Sequence, residues 1–235
     1  MTLYSFVPSP AAVIIGAEGG IGGALADALA AEGARLGLIA RSVPTRSAAY
    51  VAAADLMDET ALGAAAEGAS NALGPLDLVI VSTGALKAPE KSWRDLDAGA
   101  LAEAYAKNAI GPALAAKHFL PLLRKDGKAV FAALSARVGS ISDNHLGGWH
   151  GYRASKAALN MLIRTLSIEF ARKRPEAVAL ALHPGTVDTD LSRPFRPKTA
   201  VPPAEAAANL LSVIDRTTAS DTGKLLAWDG SDIPY

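Results

Sequence analysis

Short apolar runs alternate along the chain with longer stretches in which apolar positions recur every three to four residues. The short runs suit strands buried on both faces, and the longer ones suit amphipathic helices laid over them. Their alternation predicts βαβ units around a parallel sheet. Seven strands follow from the pattern: Ala11–Ile15, Arg35–Ala40, Tyr50–Ala53, Leu78–Val81, Ala129–Ala133, Val178–His183 and Lys224–Trp228. Helices fill the intervals. In Ile21–Ala31 one face collects Ile21, Leu25, Ala28 and Leu29, and in Tyr152–Lys173 one face collects Leu159, Leu162, Ile163, Leu166 and Phe170. The expected fold class is α/β, a single-domain Rossmann-type doubly wound parallel sheet spanning residues 1–235, with helices on both faces. Pro184, Pro194, Pro197, Pro202 and Pro203 interrupt the pattern late and predict a substrate loop around residues 184–203.

Composition narrows the possible partners. A chain of 235 residues, half of them apolar and a fifth charged, can bury one sizeable core without approaching membrane-protein composition. Its 23 basic residues balance 23 acidic ones, so net charge favours neither nucleic acid nor an anionic membrane, and a small molecule is the expected partner. The absence of cysteine excludes disulfides, thiol catalysis and cysteine metal sites. Met1 to Pro10 lacks the features of a secretion signal, and charged residues or glycine interrupt every apolar stretch; the expectation is a cytoplasmic protein without a membrane span.

Candidate chemistry begins directly after the first strand, with Gly16-Ala17-Glu18-Gly19-Gly20-Ile21-Gly22 leading into a helical pattern. Glycine lets a backbone turn tightly and approach a pyrophosphate without an intervening Cβ, while the first amides of the helix and its dipole favour negative charge. No Lys-Ser or Lys-Thr closes the loop, which disfavours a P-loop and points to a dinucleotide. An NAD site carries an acid near the end of its second strand to bind the ribose diol. Here Ala40-Arg41 stand instead, and Arg41 suits the 2′-phosphate of NADP(H), with Arg46 able to assist from the following loop. A methyltransferase using S-adenosylmethionine would also be expected to carry an acid there.

Tyr152 and Lys156 lie four apart at the start of a periodic helix and project from one face. A nearby ammonium stabilises a phenolate, so the pair suits general acid–base work on a carbonyl or alcohol. With these motifs in place, the chain resembles the short-chain dehydrogenases/reductases over nearly its whole length. The resemblance rests on Gly16, Gly20, Ile21 and Gly22 in the turn, Asp55-Leu56 after the third strand, Asn108 in a central helix, the Tyr152/Lys156 pair, and His183-Pro184-Gly185-Thr186-Val187-Asp188-Thr189. Ser135 to Ile141 and Gly147-Gly148-Trp149 are similar to the C-factor or sniffer-like carbonyl reductases within that family.

The resemblance implies an NADP(H)-dependent oxidoreductase with Tyr152 as general acid/base and Lys156 and Asn108 as partners, Asn108 binding a proton-relaying water. Asp55 would contact the adenine, Gly84 the cofactor ribose, and Pro184, Gly185, Val187 and Thr189 the nicotinamide side. It also implies a homodimer or homotetramer built through the long helices. Two departures stand out. Val81-Ser82-Thr83-Gly84 replaces the usual Asn-Asn-Ala-Gly, and Ala136 occupies the place three before Gly139 where the family carries its catalytic serine. Ser135 at a strand end is the preferred substitute, with Ser140 as the alternative. His145 and His150 near Asp143 suggest pocket lining rather than metal binding, Trp149 suggests a pocket wall or packing, and His183 is read as structural. The few charges between Leu134 and Tyr152 suggest a mainly apolar substrate. The alternative to an enzyme is a weakly catalytic NADP(H)-binding signalling or sensor protein of the same fold.

Overall fold

The computed structural model describes residues 3–86, 89–193 and 199–235. All seven strands are present: β1 (Ala11–Ile15), β2 (Arg35–Ala40), β3 (Tyr50–Ala53), β4 (Leu78–Val81), β5 (Ala129–Leu134), β6 (Ala177–His183) and β7 (Leu225–Ala227). They form one sheet in the order β3-β2-β1-β4-β5-β6-β7, every pair parallel. The helices are α1 (Gly20–Ala31), α2 (Glu59–Leu73), α3 (Ala98–Tyr105), α4 (Gly111–Phe119), α5 (His150–Ala171) and α6 (Pro203–Arg216). None among the described residues is long and apolar enough to cross a membrane.

Strand side chains alternate between two cores, because successive residues of a strand face opposite ways. Val13, Ile15, Val79, Val81 and Phe131 meet Leu62 of α2, Phe119 of α4, and Leu159 and Ile163 of α5. Ile14, Leu78, Ile80 and Val130 meet Leu25 and Leu29 of α1, and Leu210 and Ile214 of α6, on the other face. The doubly wound arrangement is therefore the expected one. Strand order reverses between β1 and β4, which opens a crevice at their carboxyl ends, where ligands of such sheets bind. The opposite edge is locked by the fully buried Asp77, which accepts from the Ala11 amide at 2.8 Å and pairs with Arg124.

Several predicted bounds are corrected. β5 gains Leu134 and β6 gains Ala177, while β7 lacks Lys224 and Trp228. The Lys224 ammonium is drawn to Asp221 and Asp232, at 2.9 and 3.4 Å. Helix α5 starts at His150 rather than Tyr152, because Glu90 reaches across from the β4–α3 connection. The Glu90 carbonyl accepts from the Trp149 amide at 2.7 Å, and its carboxylate accepts from the Gly151 amide at 3.3 Å, satisfying orphan donors of the first turn. The helix ends at Ala171, short of Lys173, because the Lys173 and Arg174 amides both fold back onto the Phe170 carbonyl. The central helix is a rod in three parts, with a wider π turn at Ala106–Ile110 between α3 and α4. In the loop around 184–203, Val187 pairs with Val201 and α6 begins at Pro203. Pro194 and Pro197 lie outside the described residues.

Candidate active site

The glycine turn links β1 to α1 at the mouth of the crevice. Gly16 has a φ of +94°, a left-handed conformation strained for any residue with a Cβ. Its amide and that of Ala17 both donate to the Ile39 carbonyl, at 2.7 and 3.2 Å, stitching the turn to the end of β2. A Cβ on Gly22 would run into the Gly16 carbonyl oxygen, and one on Gly20 would stand 2.8 Å from Thr189 Cγ2. The turn and Thr189, at the end of the segment that starts at Pro184, are thus brought together, as one shared ligand would require. Gly19 caps α1 without a side-chain hydrogen bond. Beside the turn, the Ser82 and Thr83 hydroxyls are buried with no hydrogen-bond partner among the described residues. Orphaned polar atoms are uncommon inside proteins, and here they line a crevice whose glycines admit a close ligand.

Around the exit of β4, three predicted residues converge. Asn108 is fully buried in the π turn, and π turns often mark functional sites. Its Oδ1 accepts from the Ala85 amide at 2.8 Å, while its Nδ2 donates to the Ala85 carbonyl at 2.9 Å and to Ser155 Oγ at 3.0 Å. A Cβ on Gly84 would lie 3.7 Å from both Asn108 Oδ1 and Lys156 Nζ, so both side chains approach Gly84. Lys156 is buried, and its ammonium donates to the Leu134 carbonyl at 2.8 Å.

Lys156 Nζ lies 5.9 Å from the centre of the Tyr152 ring. Burial lowers the lysine to about 8 and pushes the phenol up to about 12. The expected lowering of the phenol by its neighbour is therefore corrected: desolvation outweighs an ammonium that points at a carbonyl oxygen.

Both candidate serines are engaged elsewhere. Ser135, directly after β5, donates to Asn160 Oδ1 at 2.6 Å, and Asn160 in turn donates to the Gly139 carbonyl at 3.3 Å. Ser140 donates to the Pro234 carbonyl and accepts from the Asp143 amide at 3.1 Å. At the other end of the crevice, Arg41 is exposed immediately after β2. Arg46, read as its assistant, is instead held by Asp27 at 3.0 Å and lies 3.7 Å from Glu18. Asp55 is exposed and accepts from the Met57 amide at 2.9 Å, while Leu56 is buried.

Two cavities flank this line. A small one beside Tyr152 is walled by Ala85, Leu86, Ala100 and Ala104, with Glu90 and Glu103 at its rim. Glu103 pairs with Lys107 at 2.7 Å. Trp149 precedes α5 in a left-handed conformation, φ +54°, with its ring edge-on to Tyr152 at 6.2 Å. A non-glycine residue in this conformation is strained, and such strain collects at functional sites. The other cavity, about 250 Å³, is lined by His183, Thr186, Asn209 and Trp228. Burial lowers His183 to about 4, and its Nδ1 has no hydrogen-bond partner among the described residues. Asp143 pairs with Arg137 at 3.1 Å, and no group of three or more His, Asp or Glu among the described residues could hold a metal.

Sequence reading passed over Glu18, Glu90 and Asn160. Asn160 had a signal, since it lies one turn beyond Lys156 on the same helix face. Glu18 had one too, as an acid within the glycine-rich turn after β1. Glu90 had none, because its partner helix is remote in sequence.

The short chain dehydrogenase family model matches residues 10–200. C-signal of Myxococcus xanthus is 33% identical over 163 residues, covering 69% of this chain and 94% of that protein. The 1-hydroxy-2-glutathionyl-2-methyl-3-butene dehydrogenase of Rhodococcus sp. (strain AD45) is 35% identical over 129 residues, covering 54% and 55%. Among solved structures, NADPH-bound carbonyl reductase from chicken fatty liver superposes with a TM-score of 0.86 at 27% identity, covering 97% of this chain and 100% of that one. Carbonyl reductase Sniffer of D. melanogaster shares the fold, with a TM-score of 0.84 at 21% identity over 96% and 99%.

Proposed function

From the premise that the chain belongs to the short-chain dehydrogenase family, we propose that it is an NADPH-dependent reductase acting on the carbonyl of a small, mainly apolar substrate. The observation that carries this reading is the approach of Lys156 and Asn108 to Gly84 in the crevice where Tyr152 stands. Gly16, Gly20, Ile21 and Gly22 would hold the pyrophosphate, Asp55 and Leu56 the adenine, and Arg41 the 2′-phosphate. Gly84 would meet the ribose, with Pro184, Gly185, Val187 and Thr189 on the nicotinamide side. NADPH bound there supplies the hydride.

The protein's own part is proton transfer and positioning. Tyr152, pushed up to about 12, is protonated at neutral pH, which suits an acid giving its proton to a carbonyl oxygen. The Lys156 ammonium would stabilise the phenolate that remains. Asn108 holds the Gly84-Ala85 backbone beside Lys156 and would bind the water that returns a proton to it. Apolar walls beside Tyr152, with the Glu90 carboxylate occupied by Gly151 and Glu103 by Lys107, favour an uncharged substrate. The exposed apolar residues Met161 and Ile168 of α5 suit a homodimer or homotetramer, and the sequence suits a cytoplasmic setting.

The test is NADPH oxidation against a panel of ketones, aldehydes and quinones. Turnover of at least one, with Arg41→Ala weakening NADPH by about tenfold and leaving NADH unchanged, is the expected result. Absence of turnover despite tight NADPH binding would favour a second reading, a weakly catalytic NADP(H)-binding signalling or sensor protein. Two observations speak for that reading: both serines have committed their hydroxyl hydrogens, and one relative is named C-signal.

To assist at the substrate oxygen, Ser135 must first turn from Asn160. The expected cost of Ser135→Ala is therefore below about tenfold in kcat/KM, measured by steady-state kinetics.

A further inference from the structure

We propose that Glu18 narrows the preference for NADPH, by offering the ribose diol of NADH the carboxylate that the end of β2 lacks and by setting a negative charge against the 2′-phosphate of NADPH. This rests on the nicotinamide-cofactor reading above.

Position comes first. Glu18 follows Ala17, whose amide is bound to Ile39, and Arg41 follows Ala40 at the end of the same strand. Both residues therefore border the notch between the glycine turn and β2, where a dinucleotide site of this architecture recognises the ribose. Glu18 Oε1 accepts from the Thr45 amide at 3.3 Å and lies 3.7 Å from Arg46 Nη1. Its carboxylate thus spans the notch from the turn to the β2–β3 connection. It remains partly exposed, and these contacts leave its other oxygen available to a hydroxyl donor.

Charge is the second argument. The Arg46 Nε donates to Asp27 at 3.0 Å, and its Nη1 reaches the Ala17 carbonyl at 3.4 Å. Arg46 thus faces two anions, Glu18 and Asp27, which together offset the charges of Arg46 and Arg41. A 2′-phosphate, close to two negative charges at neutral pH, meets a notch of no net charge. Arg41, which has no ion-pair partner among the described residues, is left as its main ligand. A ribose diol carries no charge and gains an acceptor. The pyrophosphate is common to both cofactors, so repulsion between it and Glu18 cancels in their ratio, and that ratio isolates events at the 2′ position.

The experiment measures Kd for NADPH and NADH by nucleotide fluorescence on the parent protein, Glu18→Gln and Asp27→Asn, each checked for an unchanged melting profile. The parent is expected to bind both, NADPH tighter by less than about tenfold. Glu18→Gln should widen that ratio by about tenfold or more, with NADPH tightening and NADH weakening. Asp27→Asn frees Arg46 but keeps the Glu18 carboxylate, so NADPH should tighten while NADH stays the same. The proposal is overturned if Glu18→Gln leaves the ratio within about twofold of the parent, or if Asp27→Asn weakens NADH as much as Glu18→Gln does. A parent that binds neither nucleotide removes the cofactor reading itself, and this proposal with it.

Discussion

Tyr152→Phe is expected to lower kcat/KM for carbonyl reduction by about 10³-fold while leaving the Kd for NADPH within about threefold of the parent. The substitution removes one oxygen and keeps the ring, so the edge-on contact with Trp149 and the packing at the start of α5 persist. What disappears is the acid that protonates the substrate oxygen as the hydride arrives. General acid catalysis contributes about 10² to 10⁴ in rate, and neither candidate serine has a hydroxyl hydrogen free to take over. Ser135 and Ser140 give their hydrogens to Asn160 and Pro234. Stopped-flow binding together with steady-state turnover separates the two quantities. A residual rate within about tenfold of the parent would remove Tyr152 from the mechanism.

Lys156→Met should abolish most turnover, by about 10²-fold or more, without destabilising the fold at pH 7. This combination is diagnostic, because most core substitutions lose both. Burial lowers the ammonium from its ordinary 10.5 to about 8, so the folded state disfavours the charged form. Below about pH 8 the lysine is charged in both folded and unfolded chains, and burying that charge costs the fold on the order of 3 kcal/mol. The cost falls away as pH rises from about 8 to 10.5, where the folded protein holds a neutral amine while the unfolded one is still protonated. Methionine fills a similar volume without the charge. It leaves the Leu134 carbonyl without its donor, which takes back about 1–3 kcal/mol. Denaturant unfolding at pH 7 is therefore expected to show equal or higher stability for the variant, with the parent gaining on it by pH 10. The same titration predicts that parent kcat/KM falls as pH rises through about 8, when the ammonium that stabilises the phenolate is lost. A variant less stable by more than about 2 kcal/mol at pH 7 would mean that the buried lysine is held by more than one carbonyl.

Much of the fold was legible because its signals are local. An apolar run of five residues in β1 and the spacing of Leu25 and Leu29 in α1 follow from strand and helix geometry alone. The glycine turn was legible for the same reason, since a strand meeting a helix with no room for Cβ atoms writes itself as Gly16, Gly20 and Gly22. The Pro184-Gly185 segment and Asn108 were found through family resemblance rather than through geometry. The start of α5 could not be read, because its first-turn amides are satisfied by Glu90, far away along the chain. Nor could the π turn, since Ala106 to Ile110 carries no local signal that separates a wider turn from an ordinary one.

The sequence by itself determined the order of strands and helices, the two-faced burial of the sheet, and the placing of Tyr152 and Lys156 on one helix face, because periodicity and steric fit act over a few residues. Only the tertiary structure decided what each polar group is bonded to. It commits Ser135 to Asn160 and Ser140 to Pro234, ties Arg46 to Asp27 and Glu18, and buries Lys156 against Leu134. A hydrogen bond depends on which chain segments lie within about 3 Å of each other, and desolvation depends on everything packed around a group. Neither quantity exists until the sheet has brought distant segments to its carboxyl edge.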